Sequence, residues 1–141
     1  LFRSRVFILE NVLGMLSMDK GNFVKRIISE FEQIGYHIHG PWKLNAANFG
    51  VPQKRKRVFI VGSSKKRKID PPKPLIENEE EFVTVHDAIY GLPPLSAGEG
   101  VEYAEYAGKP ISPYQKFLIG EMSAIEFVQV IGRTKYEKVI A

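Results

Sequence analysis

Arg5-Val6-Phe7-Ile8-Leu9 is a short apolar run with β-branched and aromatic members, the pattern of a strand covered on both faces. It reads as a buried, parallel strand. After a turn containing Gly14, the residues Phe23, Ile27, Phe31 and Ile34 recur at helical spacing, with Ile28 widening the stripe. Gly35 stands where a C-terminal cap belongs. Tyr36, Ile38, Trp42 and Leu44 then alternate with His37, His39 and Lys43, predicting a partly exposed strand interrupted at Gly40-Pro41. Gly50 and Pro52 punctuate a loop. Val58-Phe59-Ile60-Val61-Gly62 is a second buried-strand pattern, and Gln53 to Arg57 extends it outward.

From Ser63 to Pro74 the composition shifts to Lys, Arg and Pro, which places an exposed linker there. Beyond it come three helix-opening signatures. Thr84-Val85-His86-Asp87 starts a short helix that Gly91 and Pro93-Pro94 stop. Ser112-Pro113-Tyr114-Gln115 carries proline at the first helical position, and Ser123-Ala124-Ile125-Glu126 repeats the capping box. Gly120 and Gly132 close these two helices. The expected organisation is an α/β portion over residues 1–64, a linker over 65–82 and a region of short helices over 83–141.

Composition narrows the class. The chain has 141 residues, 44% hydrophobic and 26% charged, a balance found in globular proteins. No apolar run approaches the roughly 20 residues of a membrane span. The first residues are not followed by a long apolar stretch and small-residue cleavage site, so secretion is unsupported. The expected setting is cytoplasmic and nucleoid-associated in a bacterium, or nuclear in a eukaryote. Net charge is +4, with basic blocks at Lys54 to Arg57 and Lys65 to Lys68 and an acidic stretch at Glu77 to Glu81. Cysteine is absent, which excludes disulfides, thiolate metal sites and thiol nucleophiles within these residues.

Two groups of residues carry candidate chemistry. Glu10-Asn11-Val12 begins at the carboxyl end of the first strand, where open α/β sheets bind ligands. In an apolar setting a carboxyl there would hold or share a proton with a bound base at neutral pH. The plainer reading is a loop carboxylate that caps a turn or pairs with an arginine. Gln53, Arg55 and Arg57 are spaced by two, so an extended chain projects all three from one face. Their planar donor forks suit phosphate oxygens and the carbonyl edge of a base. A solvated basic strand is the alternative.

Phe7-Ile8-Leu9-Glu10-Asn11-Val12 with Gly14, then Leu44-Asn45-Ala46-Ala47-Asn48-Phe49-Gly50-Val51-Pro52-Gln53-Lys54-Arg55-Lys56-Arg57 running into Val58 to Gly62, closely resembles consecutive motifs of DNA cytosine-5 methyltransferases. Thr84 to Ile89 with Leu92-Pro93 looks like the segment leading into that family's target-recognition domain. The resemblance implies a partial Rossmann-like methyltransferase sheet, then a linker and the start of an incomplete recognition region. It implies double-stranded DNA as substrate, a cytosine flipped from the duplex, and S-adenosyl-L-methionine as methyl donor in the complete enzyme, in the manner of restriction-modification enzymes. A cysteine thiolate adds to ring carbon six, and carbon five takes the methyl group. Glu10 would meet the base at N3 and the amino group. Arg57 would hold the O2 side, and Arg55 would steady the carboxylate or a phosphate. Gln53, Asn11 and Val12 would orient the substrate, while Asn45 and Asn48 would shape the turn that delivers the arginines.

Departures from the family pattern matter equally. Neither the glycine-rich donor motif nor the Pro-Cys dipeptide occurs, and no donor site is identified among these residues. The chain is therefore expected to be inactive alone. Its expected partners are DNA, the missing N-terminal half as a separate polypeptide, and a second copy through an exposed sheet edge. The family's closing segments are not apparent after Arg133. A non-catalytic DNA-binding or regulatory module with this fold stays open, as does a general basic nucleic-acid-binding domain. His37, His39 and His86 read as surface or structural residues with no metal, and Trp42 as core. Tyr103, Tyr106 and Tyr114 are aromatic candidates for DNA contact.

Overall fold

The computed structural model describes residues 4–103, 105 and 108–132. Two compact units emerge: Leu1–Ala46 with Lys54–Lys73, and Ala47–Gln53 with Pro74–Ala141.

In the first unit, β1 (Val6–Val12), β2 (His37–Asn45) and β3 (Lys56–Ser63) form one sheet in the order β1-β3-β2. β3 pairs antiparallel with both neighbours. β1 and β2 therefore run in the same direction without being adjacent. This corrects the expectation of a parallel, doubly covered first strand, and the burial pattern gives the reason. Val58 and Ile60 are fully buried and Val61 nearly so, and the strand with the most buried side chains takes the centre. β1 lies at an edge, where Val6, Ile8 and Val12 are exposed.

Helix α1 (Asn22–Gln33) covers one face of the sheet. Its Val24 joins Met15 and Ile60 in the buried core, with Leu9, Leu16, Phe23, Ile27, Ile28 and Ile38 packed around them. The apolar stripe read from the sequence is the face that does this packing. Gly35, at φ +91°, ends the helix as expected. The Gly35 N–H donates to Glu32 O at 2.9 Å and the Tyr36 N–H to Phe31 O at 3.0 Å, the two bonds of a left-handed helix stop. The Phe7 ring then meets Phe31 at 4.2 Å and Tyr36 at 5.0 Å between centroids.

β2 is interrupted where expected: its register shifts between His39 and Trp42, and the Gly40–Pro41 peptide is cis. Gly40 has φ +104°, and a Cβ there would stand 2.7 Å from Phe59 O. β3 begins at Lys56 instead of reaching back to Gln53, because Pro52 and Gln53 form a bend in which the Gln53 N–H donates to Val51 O at 2.7 Å. The Ala46 N–H donates to Arg55 O at 3.0 Å and closes the base of the connecting loop.

In the second unit, α2 (Val85–Ile89), α3 (Pro113–Leu118) and α4 (Ala124–Ile131) each open with the predicted capping box, both reciprocal bonds being made. Hydrogen bonds between α2 and α3 join them. Ser112 Oγ donates to Asp87 O, and Gln115 Nε2 donates to Tyr90 O. Phe127 on α4 is buried, stacked on Phe117 at 5.1 Å and edge-on to Tyr114 at 5.5 Å. Tyr106 and the segment after Gly132 lie outside the described residues, while Tyr103 is exposed and Tyr114 faces this core. No described helix is long and apolar enough to cross a membrane.

Candidate active site

Side chains alternate along a strand, so the cross-strand register decides which groups share a face. Glu10 lies opposite Phe59, and Val12 opposite Arg57. On the other side of β3, Trp42 lies opposite Phe59 and Leu44 opposite Arg57. All six stand on the face away from α1. Glu10 and Arg57 are diagonal neighbours there, and Arg57 Nε donates to Glu10 Oε1 at 3.0 Å. Arg57 Nη1 donates to Lys56 O at 2.9 Å.

The burial of this pair determines what it can do. The Arg57 side chain is 22% exposed and that of Glu10 45%. A pair this open contributes about 0.2–1 kcal/mol, so a ligand can share or open it at little cost. Guanidinium has five N–H donors in one plane, and two of its nitrogens are engaged here, leaving directed donors for an incoming acceptor. Among the described residues, the Glu10 carboxylate is half exposed and paired with a cation. The plainer reading, a carboxylate paired with an arginine, is therefore realised in the geometry. The two groups nevertheless converge at the carboxyl end of β1, where a planar ligand can meet both.

The remaining candidates separate. Asn11 points to the opposite face from Glu10, and its Oδ1 accepts the Val12 N–H at 2.8 Å. Val12 is exposed on the face of the pair. Arg55 is exposed and precedes the strand, while Gln53 lies in the loop that belongs to the second unit. The straight row of three expected from the spacing is thus bent at Gln53. Phe59 and Leu44 were not foreseen on the face of the pair. Counting outward from a hairpin centred between Asn45 and Lys56 would have found both. Trp42, expected in the core, is half-buried on this same face. His37 is exposed as expected, but His39 is partly buried and its Nε2 has no hydrogen-bond partner among the described residues.

An open hollow of about 480 Å³ is lined by Glu32, Gly35, Tyr36, His37 and Ile38. His37 pairs with Ser63, so the hollow lies at the end of β3 remote from Arg57, roughly 20 Å along the strand. Among the described residues, no group of three His, Asp or Glu side chains is placed to hold a metal ion.

The sequence model of the C-5 cytosine-specific DNA methylase family matches residues 2–108, a span that holds Glu10, the β2–β3 hairpin with Arg57, and α2. The chain belongs to the C-5 cytosine-specific DNA methylase family. Among relatives of this methylase chain, the type II methyltransferase M.DdeI of Desulfomicrobium norvegicum is 40% identical over 123 residues, covering 82% of the chain and 29% of the relative. M.HpaII of Haemophilus parainfluenzae, also a type II methyltransferase, is 43% identical over 59% of the chain and 23% of its own length. M.AquIA of Picosynechococcus is 34% identical over 65% of the chain and 45% of its own length. The methylase chain thus spans less than half of the length of each of these three relatives.

Proposed function

We propose that this methylase chain holds the target cytosine of a double-stranded DNA substrate during methylation at carbon five. The observation that supports this most is the pairing of Glu10 and Arg57 at 3.0 Å on one accessible sheet face. Glu10 receives the N3 and amino edge of the extruded base and supplies or shares the proton that neutralises charge developing on the ring. Arg57 donates to the O2 side, with Val12 beside it. Arg55 steadies the carboxylate or a phosphate, Gln53 orients the approach, and Asn11, whose side chain faces away, acts through the Val12 N–H that its Oδ1 accepts. Residues 1–64 form the base-holding part in this reading, 65–82 the linker, and 83–141 the start of the recognition region.

S-adenosyl-L-methionine supplies the methyl group in the complete enzyme. The glycine-rich motif that would hold that donor does not occur among these residues. The described chain also lacks a cysteine nucleophile. These residues alone are inactive, and methyl transfer needs a donor site and a cysteine supplied from outside them. β1 is an edge strand with Val6 and Ile8 exposed, which supports association there, with a segment that supplies them or with a second copy. The bacterial names among the relatives support a cytoplasmic, nucleoid-associated setting.

The test is complementation. The chain is mixed with a separately expressed partner bearing the donor site and cysteine, and transfer of labelled methyl to cytosine is measured. Transfer is expected, and Glu10→Gln is expected to lower its rate by roughly 10²–10⁴-fold, the range of acid-base catalysis. An unchanged rate removes Glu10 from the mechanism. No transfer by the unaltered chain, with DNA binding retained, favours the non-catalytic module.

A further inference from the structure

The basic run that follows β3 is not used by the base-holding pair. Residues 64–73 carry Lys65, Lys66, Arg67, Lys68 and Lys73 against the single acid Asp70. Five cations and one carboxylate leave this stretch at +4, which equals the net charge of the whole chain, so the remaining residues sum to zero. All of the stretch from Lys65 onward to Lys68 is exposed. Lys68 Nζ pairs with Asp70 Oδ1 at 3.0 Å, and among the described residues Lys65, Lys66 and Arg67 make no ion pair. Adjacent like charges repel one another, and the fold gives these three no carboxylate in return.

The root of the run is fixed, and all of it lies in the first unit. Ser63, the last residue of β3, is 1% exposed, and its Oγ accepts the Lys65 N–H at 3.3 Å. The Ser64 N–H donates to Arg5 O at 2.9 Å, which sets the start of the run beside the exposed arginine that precedes β1. Pro71, Pro72 and Pro74 then oppose helix formation and keep the segment extended. Ser63 stands at the end of β3 remote from Arg57, roughly 20 Å along the strand. The run is therefore a concentration of positive charge separate from the Glu10–Arg57 pair.

We propose that residues 65–68 bind the phosphate backbone of duplex DNA, as a contact independent of the base-holding pair. The run offers four consecutive cations and little apolar surface, so its partner is recognised by charge. Duplex DNA presents one negative charge per roughly 1.7 Å of its axis, and each lysine or arginine that meets a phosphate releases condensed counterions. The family to which the chain belongs acts on that polymer. Phosphate contacts of this kind hold a protein on the duplex without reading its sequence. A duplex that lacks cytosine serves as well as one that contains it, so this inference stands or falls apart from the base-holding reading.

The test measures binding of the full chain to a duplex built only of A·T pairs, by fluorescence anisotropy between about 50 and 200 mM salt. The triple variant Lys65→Gln, Lys66→Gln, Arg67→Gln is expected to make the slope of log K against log salt shallower by roughly 2.7, which is 0.9 for each lost phosphate contact. The variant Lys65→Arg, Lys66→Arg, Arg67→Lys keeps the charge and is expected to keep the slope. Both variants are expected to unfold at the urea midpoint of the unaltered chain, because the replaced side chains are exposed. An unchanged slope in the glutamine variant overturns the proposal, as does failure of the unaltered chain to bind the duplex. A slope lost equally in the charge-keeping variant, or a shifted urea midpoint, also overturns it, since either marks a run that serves its own fold. A change seen only with a single-stranded RNA of the same length overturns the assignment to duplex DNA.

Discussion

Gly62 is the position where the first unit is least able to accept a methyl group. It pairs directly with Phe7, and a Cβ built on it would lie 2.8 Å from Phe7 Cδ1 and closer still to Cε1 and Cζ. Carbon atoms rest at about 3.5–4.0 Å, so the ring has to retreat by at least about 1.5 Å at Cε1. Its path is blocked by Phe31 at 4.2 Å and Tyr36 at 5.0 Å, and Tyr36 is itself tied by its hydroxyl to Ser4 O at 2.8 Å. Overpacking of this kind costs about 1–3 kcal/mol. Gly62→Ala is therefore expected to lower the stability of the first unit by that amount, a drop in Tm of about 4–8 °C for each kcal/mol. Urea unfolding followed by fluorescence reads it cleanly, because the single tryptophan, Trp42, lies in that unit. In a Phe7→Leu background the added methyl group finds space, so the double variant should be no less stable than Phe7→Leu alone. Gly62→Ala within 0.5 kcal/mol of the unaltered chain, or strict additivity with Phe7→Leu, would refute the reasoning.

The Glu10 carboxylate is half exposed, so a double-mutant cycle with Glu10→Gln and Arg57→Gln should give a coupling of only about 0.2–1 kcal/mol that shrinks in high salt; a coupling of several kcal/mol would mean a structural pair instead of an available one. Hydrogen bonds from the Thr84 side chain and backbone hold the Asp87 carboxyl below the usual aspartate range, and its folded value lies below its unfolded one. The stability this cap gives is complete above the ordinary aspartate range and is lost as pH falls through the depressed folded value. Acid titration of α2 helicity should show that loss, and Thr84→Ala, which removes the hydroxyl bond but keeps the backbone N–H bond, should reduce it while costing about 1 kcal/mol at neutral pH; an identical acid profile in Thr84→Ala would contradict the assignment.

The elements most legible in the sequence were those fixed by local chemistry. The three capping boxes, the Gly35 stop and the Gly40–Pro41 interruption each depend on a few neighbouring residues, and each stands where the pattern put it. Strand neighbours are not local. Val6 to Leu9 has the apolar run of a covered strand, yet Val58 to Val61 takes the centre of the sheet and leaves Ile8 67% exposed. The site divided in the same way. Glu10 and Arg57 were legible because alternation and hairpin return bring them onto one face. Gln53 was misread as part of an arginine row, because Pro52 bends the chain and because Asn48, Ile76 and α4 hold the loop by contacts distant in sequence.

Whether Glu10 and Arg57 grip the two edges of one cytosine can be read from arginine side-chain NMR. The chain, labelled with nitrogen-15 in arginine, is titrated with a short duplex in which the target base stands opposite an abasic site and is free to leave the stack. The Arg57 Nε signal is expected to move with cytosine and saturate, thymine at the same place to leave it nearly still, and Glu10→Gln to remove the difference. An Arg57 signal that responds equally to cytosine and thymine, or to neither, would contradict that grip.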